Sequence, residues 1–129
     1  MTKGQRVLAI SCGIEAATGL LLLVAPAVVA KLLLGSDIEG AAIIIGNIAG
    51  VALISLAIAC WPRVETRGDG SYLAMLVYNS LVGLLLAETG ATGTISGILM
   101  WPAVVVHLIL AVLIALATVG HRRRAAHGV

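Results

Sequence analysis

Phenylalanine is absent from the 129 residues, and only two tryptophans and two tyrosines represent the aromatics. Charge is nearly as scarce: 11% of residues are acidic or basic, against roughly 25% in soluble globular domains. A chain that is 60% apolar cannot cover a water-facing surface, and a disordered chain would be far poorer in apolar side chains. Both are excluded, which leaves a small integral membrane protein. The two cysteines, Cys12 and Cys60, form no CxxC and have no paired histidine beside them. That excludes a cysteine-built metal site and c-type haem attachment. They read as small apolar packing residues at the cytoplasmic ends of their helices, where thiols stay reduced. A nucleotide-binding glycine motif, HExxH and a nucleophile elbow are missing too. An enzyme would therefore have to work within the bilayer.

What is present is four apolar runs, at 7–30, 41–61, 72–89 and 98–119. Each approaches the ~20 residues that carry a helix across a ~30 Å hydrocarbon layer. Backbone groups must satisfy one another inside lipid, so the runs are helices, and no barrel-type alternation is visible. The expected fold is an all-α, integral membrane four-helix bundle forming one domain over 1–129. The first run is too long for a signal-peptide core of 7–15 residues, so it is expected to be retained. Lys3 and Arg6, Arg63 and Arg67, and Arg122, Arg123 and Arg124 fall on one side of four spans, and Lys31 alone on the other. This positive-inside pattern predicts cytoplasmic N- and C-termini. The basic tail is read as a topology anchor with weak attraction to anionic lipid, and no nucleic-acid partner is expected.

Punctuation marks the helix ends. Gly35 is placed to close the first helix, and Ser36-Asp37-Ile38-Glu39 has the spacing of a capping box opening the second. Pro26 should kink the first helix. Trp61-Pro62 closes the second helix and Trp101-Pro102 lies at the opposite face. The last helix begins either at Pro102 or earlier, within 90–100. Gly46 and Gly50 form a GxxxG, and Gly83 with Ala87 makes a weaker small-residue pair. Such motifs mark close helix contact, inside one chain or between two.

The polar residues within the runs are the candidates for function. Glu15 lies nine residues past Arg6, roughly 13 Å into the layer, with Ser11 and Thr18 on its face. An acidic group at a helix centre costs on the order of 2.5–3.5 kcal/mol on insertion scales. Glu15 should therefore be protonated, paired or facing a wet cavity. Tyr78 and Asn79 fall at a similar depth on the third helix, and His107 lies on the fourth. Asn47, inside the GxxxG, should lie in the outer half. By depth alone, Glu15, Tyr78 and Asn79 line one pocket that His107 and Asn47 continue outward, as a ligand- or proton-binding site. Asparagine and histidine also serve as interhelical glue, and rotation about each helix axis is not set by the sequence. No cofactor is assigned. A bis-histidine haem would need a second intramembrane histidine, from a symmetric partner.

The string Glu15…Thr18-Gly19-Leu20…Ala25-Pro26…Leu32-Leu33-Leu34-Gly35, with Tyr78-Asn79 and Leu99-Met100-Trp101-Pro102-Ala103…His107, resembles small bacterial four-span membrane proteins. In layout it is similar to DoxX-like proteins, some of which serve as subunits of quinone-linked oxidoreductases. The resemblance covers most of the chain in hydropathy and carries over no functional residue. It implies a multi-pass inner-membrane component, working with copies of itself or other membrane subunits, whose polar site takes a small lipophilic molecule such as a quinone. Small multidrug exporters also have four spans and a glutamate in the first, so proton-coupled transport through Glu15 is the alternative. A haem-binding redox subunit is the third class.

Overall fold

Pro26 divides the first apolar run in two. In the computed structural model, α1 spans Lys3–Val24 and α2 spans Pro26–Leu34, with Ala25 between them at φ −142° and ψ 58°. The remaining helices are α3 (Ala41–Cys60), α4 (Asp69–Thr92) and α5 (Met100–Ala126). The structure describes residues 1–62, 69–93 and 95–126, excepting the side chains of 69 and 121–126. Arg63 and Arg67 thus lie outside the described residues, and only helical backbone is described at Arg122, Arg123 and Arg124. Among the described residues the fold is all helical, without a strand. Lys3–Val24, Ala41–Cys60, Gly70–Thr92 and Met100–Gly120 are each long and apolar enough to cross a membrane.

One expectation about helix ends is corrected, and one left open is decided, for the last helix takes the earlier of its two starts. Ser36–Glu39 forms no capping box: α3 opens at Gly40 with no side-chain cap. Asp37 instead reaches Lys31, with 2.6 Å between Nζ and Oδ2. The box that does form is Thr2 with Gln5, where each side chain accepts from the other's backbone N–H (2.8 and 3.2 Å). Helix α5 begins at Met100, so Pro102 is its third residue. Proline is tolerated there because first-turn N–H groups have no intrahelical acceptor. Gly35 does close α2, in the left-handed conformation at φ 72°.

The helices pack as two close pairs, α1 with α3 and α4 with α5, and the pairs meet chiefly where α1 crosses α5. The GxxxG is a contact within the chain. A Cβ at Gly50 would lie 2.6 Å from the Gly19 carbonyl oxygen, and one at Gly19 would lie 2.8 Å from that of Gly50. Gly83 plays the same part in the second pair, where a Cβ would meet Leu108 at 2.9 Å. Short α2 bridges the pairs at one end. Its Leu33 and Leu34 pack on Leu86, Met100 and Val104. Its terminal carbonyls are satisfied by the segment before α5, through Leu99 N–H to Leu32 (2.9 Å) and Gly97 N–H to Leu33 (3.1 Å). At the other end all four long helices contribute to a core that includes Leu8, Cys12, Ala57, Cys60, Tyr72, Met75, Leu110 and Ile114. Large aliphatic side chains elsewhere, among them Ile44, Ile48, Leu81, Leu85 and Leu116, point outward. Such a surface suits hydrocarbon and not water.

Candidate functional site

Between the two apolar cores lies a polar layer built from three helices. Glu15 and Ser11, one turn apart on α1, are 1% and 0% exposed, and Asn79 on α4 is 0% exposed. His107 enters from α5 with its side chain 13% exposed, and Tyr78 is half-buried. Ser11, Glu15, Asn79 and the cores around them are the inward faces of helices that are otherwise apolar all round. Pairing these few polar groups inside is the arrangement that avoids leaving them unsatisfied in lipid.

Asn79 is the hub. Its Nδ2 donates to the Met75 carbonyl one turn back (2.9 Å) and to Ser11 Oγ on α1 (3.1 Å). Its Oδ1 lies 3.0 Å from His107 Nδ1. Because the Met75 carbonyl can only accept, the amide orientation follows, and the imidazole must carry its proton on Nδ1 to donate to Oδ1. One side chain thus ties α4 to α1 and to α5.

Glu15 is held from the other side. The Tyr78 hydroxyl hydrogen-bonds its carboxyl, and the Tyr78 ring meets the His107 ring edge-on, with centroids 5.9 Å apart and planes at 73°. The second oxygen, Oε1, is buried without a hydrogen-bond partner. The nearest described basic atom is His107 Nδ1, at 3.9 Å. That distance exceeds a hydrogen bond, and the Nδ1 proton is already directed to Asn79. The arrangement can therefore hold a proton on the carboxyl. It can also pass the Nδ1 donor from Asn79 to Glu15 by a displacement of about 1 Å, the difference between 3.9 Å and hydrogen-bond reach. Among the described residues no group of three or more His, Cys, Asp and Glu could hold a metal ion.

The structure thus brings Glu15, Tyr78, Asn79 and His107 together, and adds Ser11 as an acceptor. It leaves Asn47 out. That amide lies on α3 against the break in the first run, donating to the carbonyls of Leu23 (2.7 Å) and Leu22 (3.4 Å). Leu22 is four residues before Pro26, so its carbonyl is the one deprived of an N–H by the proline. Gly46, beside Asn47, makes the room: a Cβ there would lie 2.7 Å from the Pro26 Cβ. Spacing shows the signal once both ends are known, an Asn beside the first glycine of a GxxxG facing a helix with an internal proline. The polar stripe expected on α1 also shortens, since Thr18, only half-buried, joins none of the hydrogen bonds described in the layer. Comparison with known proteins does not extend this picture: no protein-family model, curated protein or solved structure matches the chain.

Proposed function

We propose that this small integral membrane protein is a non-catalytic component of a bacterial inner-membrane assembly. In this reading the Glu15–Tyr78–Asn79–His107 layer fixes how the two helix pairs sit against each other. The observation that carries it is Asn79: fully buried, it bonds to α1, α4 and α5 at once. Polar groups satisfied in this way serve as interhelical glue in lipid, each bond contributing ~0.6 kcal/mol on average. The half-buried edges of Tyr78 and His107 are where a partner helix, from another copy or another subunit, or a small lipophilic molecule such as a quinone would reach the layer. The resemblance in layout to DoxX-like subunits points the same way.

A second reading, proton-coupled transport, is favoured by the unpartnered Oε1 of Glu15 beside His107. Glu15→Gln separates the two. As an organising layer, the variant keeps its bond to Tyr78, and its unfolding midpoint in detergent and its co-purifying partners stay as in the parent. As a transporter, its proton-linked flux in liposomes falls to background. Loss of partners with the fold intact would overturn the non-ionic organising role.

A further inference from the structure

A groove of about 410 Å³ opens between α1 and α5 at the end of the bundle where α1 starts. It shares no residue with the Glu15 layer. Its walls are apolar, from Val7, Leu113 and Leu116, with Tyr72 at its back and Lys3 and Gly120 among the residues that line it. Leu113 and Gly120 are seven positions apart on α5, so the groove runs about 10 Å along the helix axis. Small residues, Gly4, Ala117 and Gly120, make up part of its lining. A Cβ on Gly120 would meet nothing within 4 Å. Lys3 is exposed, and among the described residues no carboxylate pairs with it. Basic charge predominates at this end: Arg6 stands one turn along α1, and Arg122, Arg123 and Arg124 follow Gly120 after His121 in the sequence, against Asp69 at the start of α4.

An apolar trough with a cation lining it, at the end of a membrane-spanning bundle, matches one kind of molecule. We infer that the groove is a site for an anionic phospholipid, one acyl chain lying against Val7, Leu113 and Leu116 and the phosphate meeting Lys3. A neutral lipid could supply the chain but would leave the cationic end uncompensated. A soluble anion would leave the apolar walls wet. Each basic group near a membrane surface contributes about 1 kcal/mol toward anionic lipid, which corresponds to a preference of roughly fivefold per residue.

The test places the whole protein in nanodiscs of equal parts phosphatidylglycerol and phosphatidylcholine, and measures the lipid retained after mild detergent extraction by native mass spectrometry. The parent is expected to retain phosphatidylglycerol preferentially. Lys3→Gln should lower that preference roughly fivefold while still retaining lipid. Gly120→Leu adds a bulky side chain at a residue that lines the groove, with room for its Cβ, and should reduce retention of both lipids. Circular dichroism melting checks that both variants fold, and Gly120→Leu is helix-favouring by propensity. Equal retention of the two lipids by the parent, or an unchanged preference in folded Lys3→Gln, would overturn the headgroup assignment. Unchanged retention in folded Gly120→Leu would overturn the chain assignment.

Discussion

Asn79 shows how much one side chain can carry where water is absent. In an aqueous core its amide would be one polar group among many. Here it is the link between α4 and two other helices, and its removal strands two partners at once, Ser11 Oγ and His107 Nδ1. Replacing Asn79 by leucine keeps the branched shape, with somewhat larger volume, and removes the bonds. The expected loss is about 1–2 kcal/mol of unfolding free energy, measured by titration with sodium dodecyl sulfate in mixed micelles. That range follows from two interhelical bonds at the values found in bilayers, with a contribution from the unpaired groups left behind. A loss indistinguishable from that of exposed Leu81→Ala would show that the hub is not holding the pairs together. Glu15 behaves differently from Asn79. One of its oxygens already lacks a partner, so the structure asks less of it, which is why its proton rather than its bonding is the property in question.

At the scale of elements, the break at Pro26 and its repair by Asn47 form a unit that neither helix has alone. Asn47 reaches the carbonyl deprived by Pro26 only through its longer bond, 3.4 Å to Leu22, while its shorter one goes to Leu23, so part of its worth depends on the proline. Asn47→Leu should cost about 1 kcal/mol in the parent and less in a Pro26→Ala background, where the residue at 26 can donate to Leu22 itself. A double-mutant cycle on unfolding free energy measures this coupling, expected at about 0.5–1 kcal/mol; strictly additive losses would refute the repair. The same pair explains what the sequence revealed and what it hid. Four spans, their rough limits and the depth of Glu15, Tyr78 and Asn79 follow from apolar run length and a fixed rise per residue; the depth of His107 turned on where the last helix starts, and the start at Met100 sets it level with Asn79 and not further outward. Helix rotation does not follow from them, because helices apolar on every side carry no amphipathic stripe to point with. The rare polar residues were the only guide to the inward faces, and Asn47 pointed to a neighbouring backbone instead of the layer. Ser36–Glu39 misled for a local reason: Asp37 has a nearer partner in Lys31, and Gly40, at φ 56°, turns the chain before α3 without a side-chain cap.

For the whole molecule, the decisive asymmetry is between its two ends. One end holds the start of α1, the last turns of α5 and the groove beside Lys3. The other holds α2, the Lys31–Asp37 pair and the turn into α3. Lys31 is largely offset by Asp37, although a pair this exposed contributes little to stability. The cationic excess therefore belongs almost wholly to the end where α1 starts, and the positive-inside rule predicts that this end faces the cytoplasm. The two native cysteines make this testable, because Cys12 and Cys60 are 0% and 3% exposed and should be silent to a membrane-impermeant thiol reagent. A cysteine at exposed Ser36 reports on the α2 end. A cysteine at Gly70, where an added Cβ meets nothing within 4 Å, reports on the opposite end, at the start of α4. In intact spheroplasts Ser36→Cys should label at once, and Gly70→Cys only after the membrane is permeabilised. The reverse pattern would invert the molecule. It would put the cationic groove outside, and it would mean that charge placement does not orient this chain. Labelling of both positions in intact cells would mean that the two ends do not lie on opposite sides of a bilayer at all, and the four-span arrangement itself would fall.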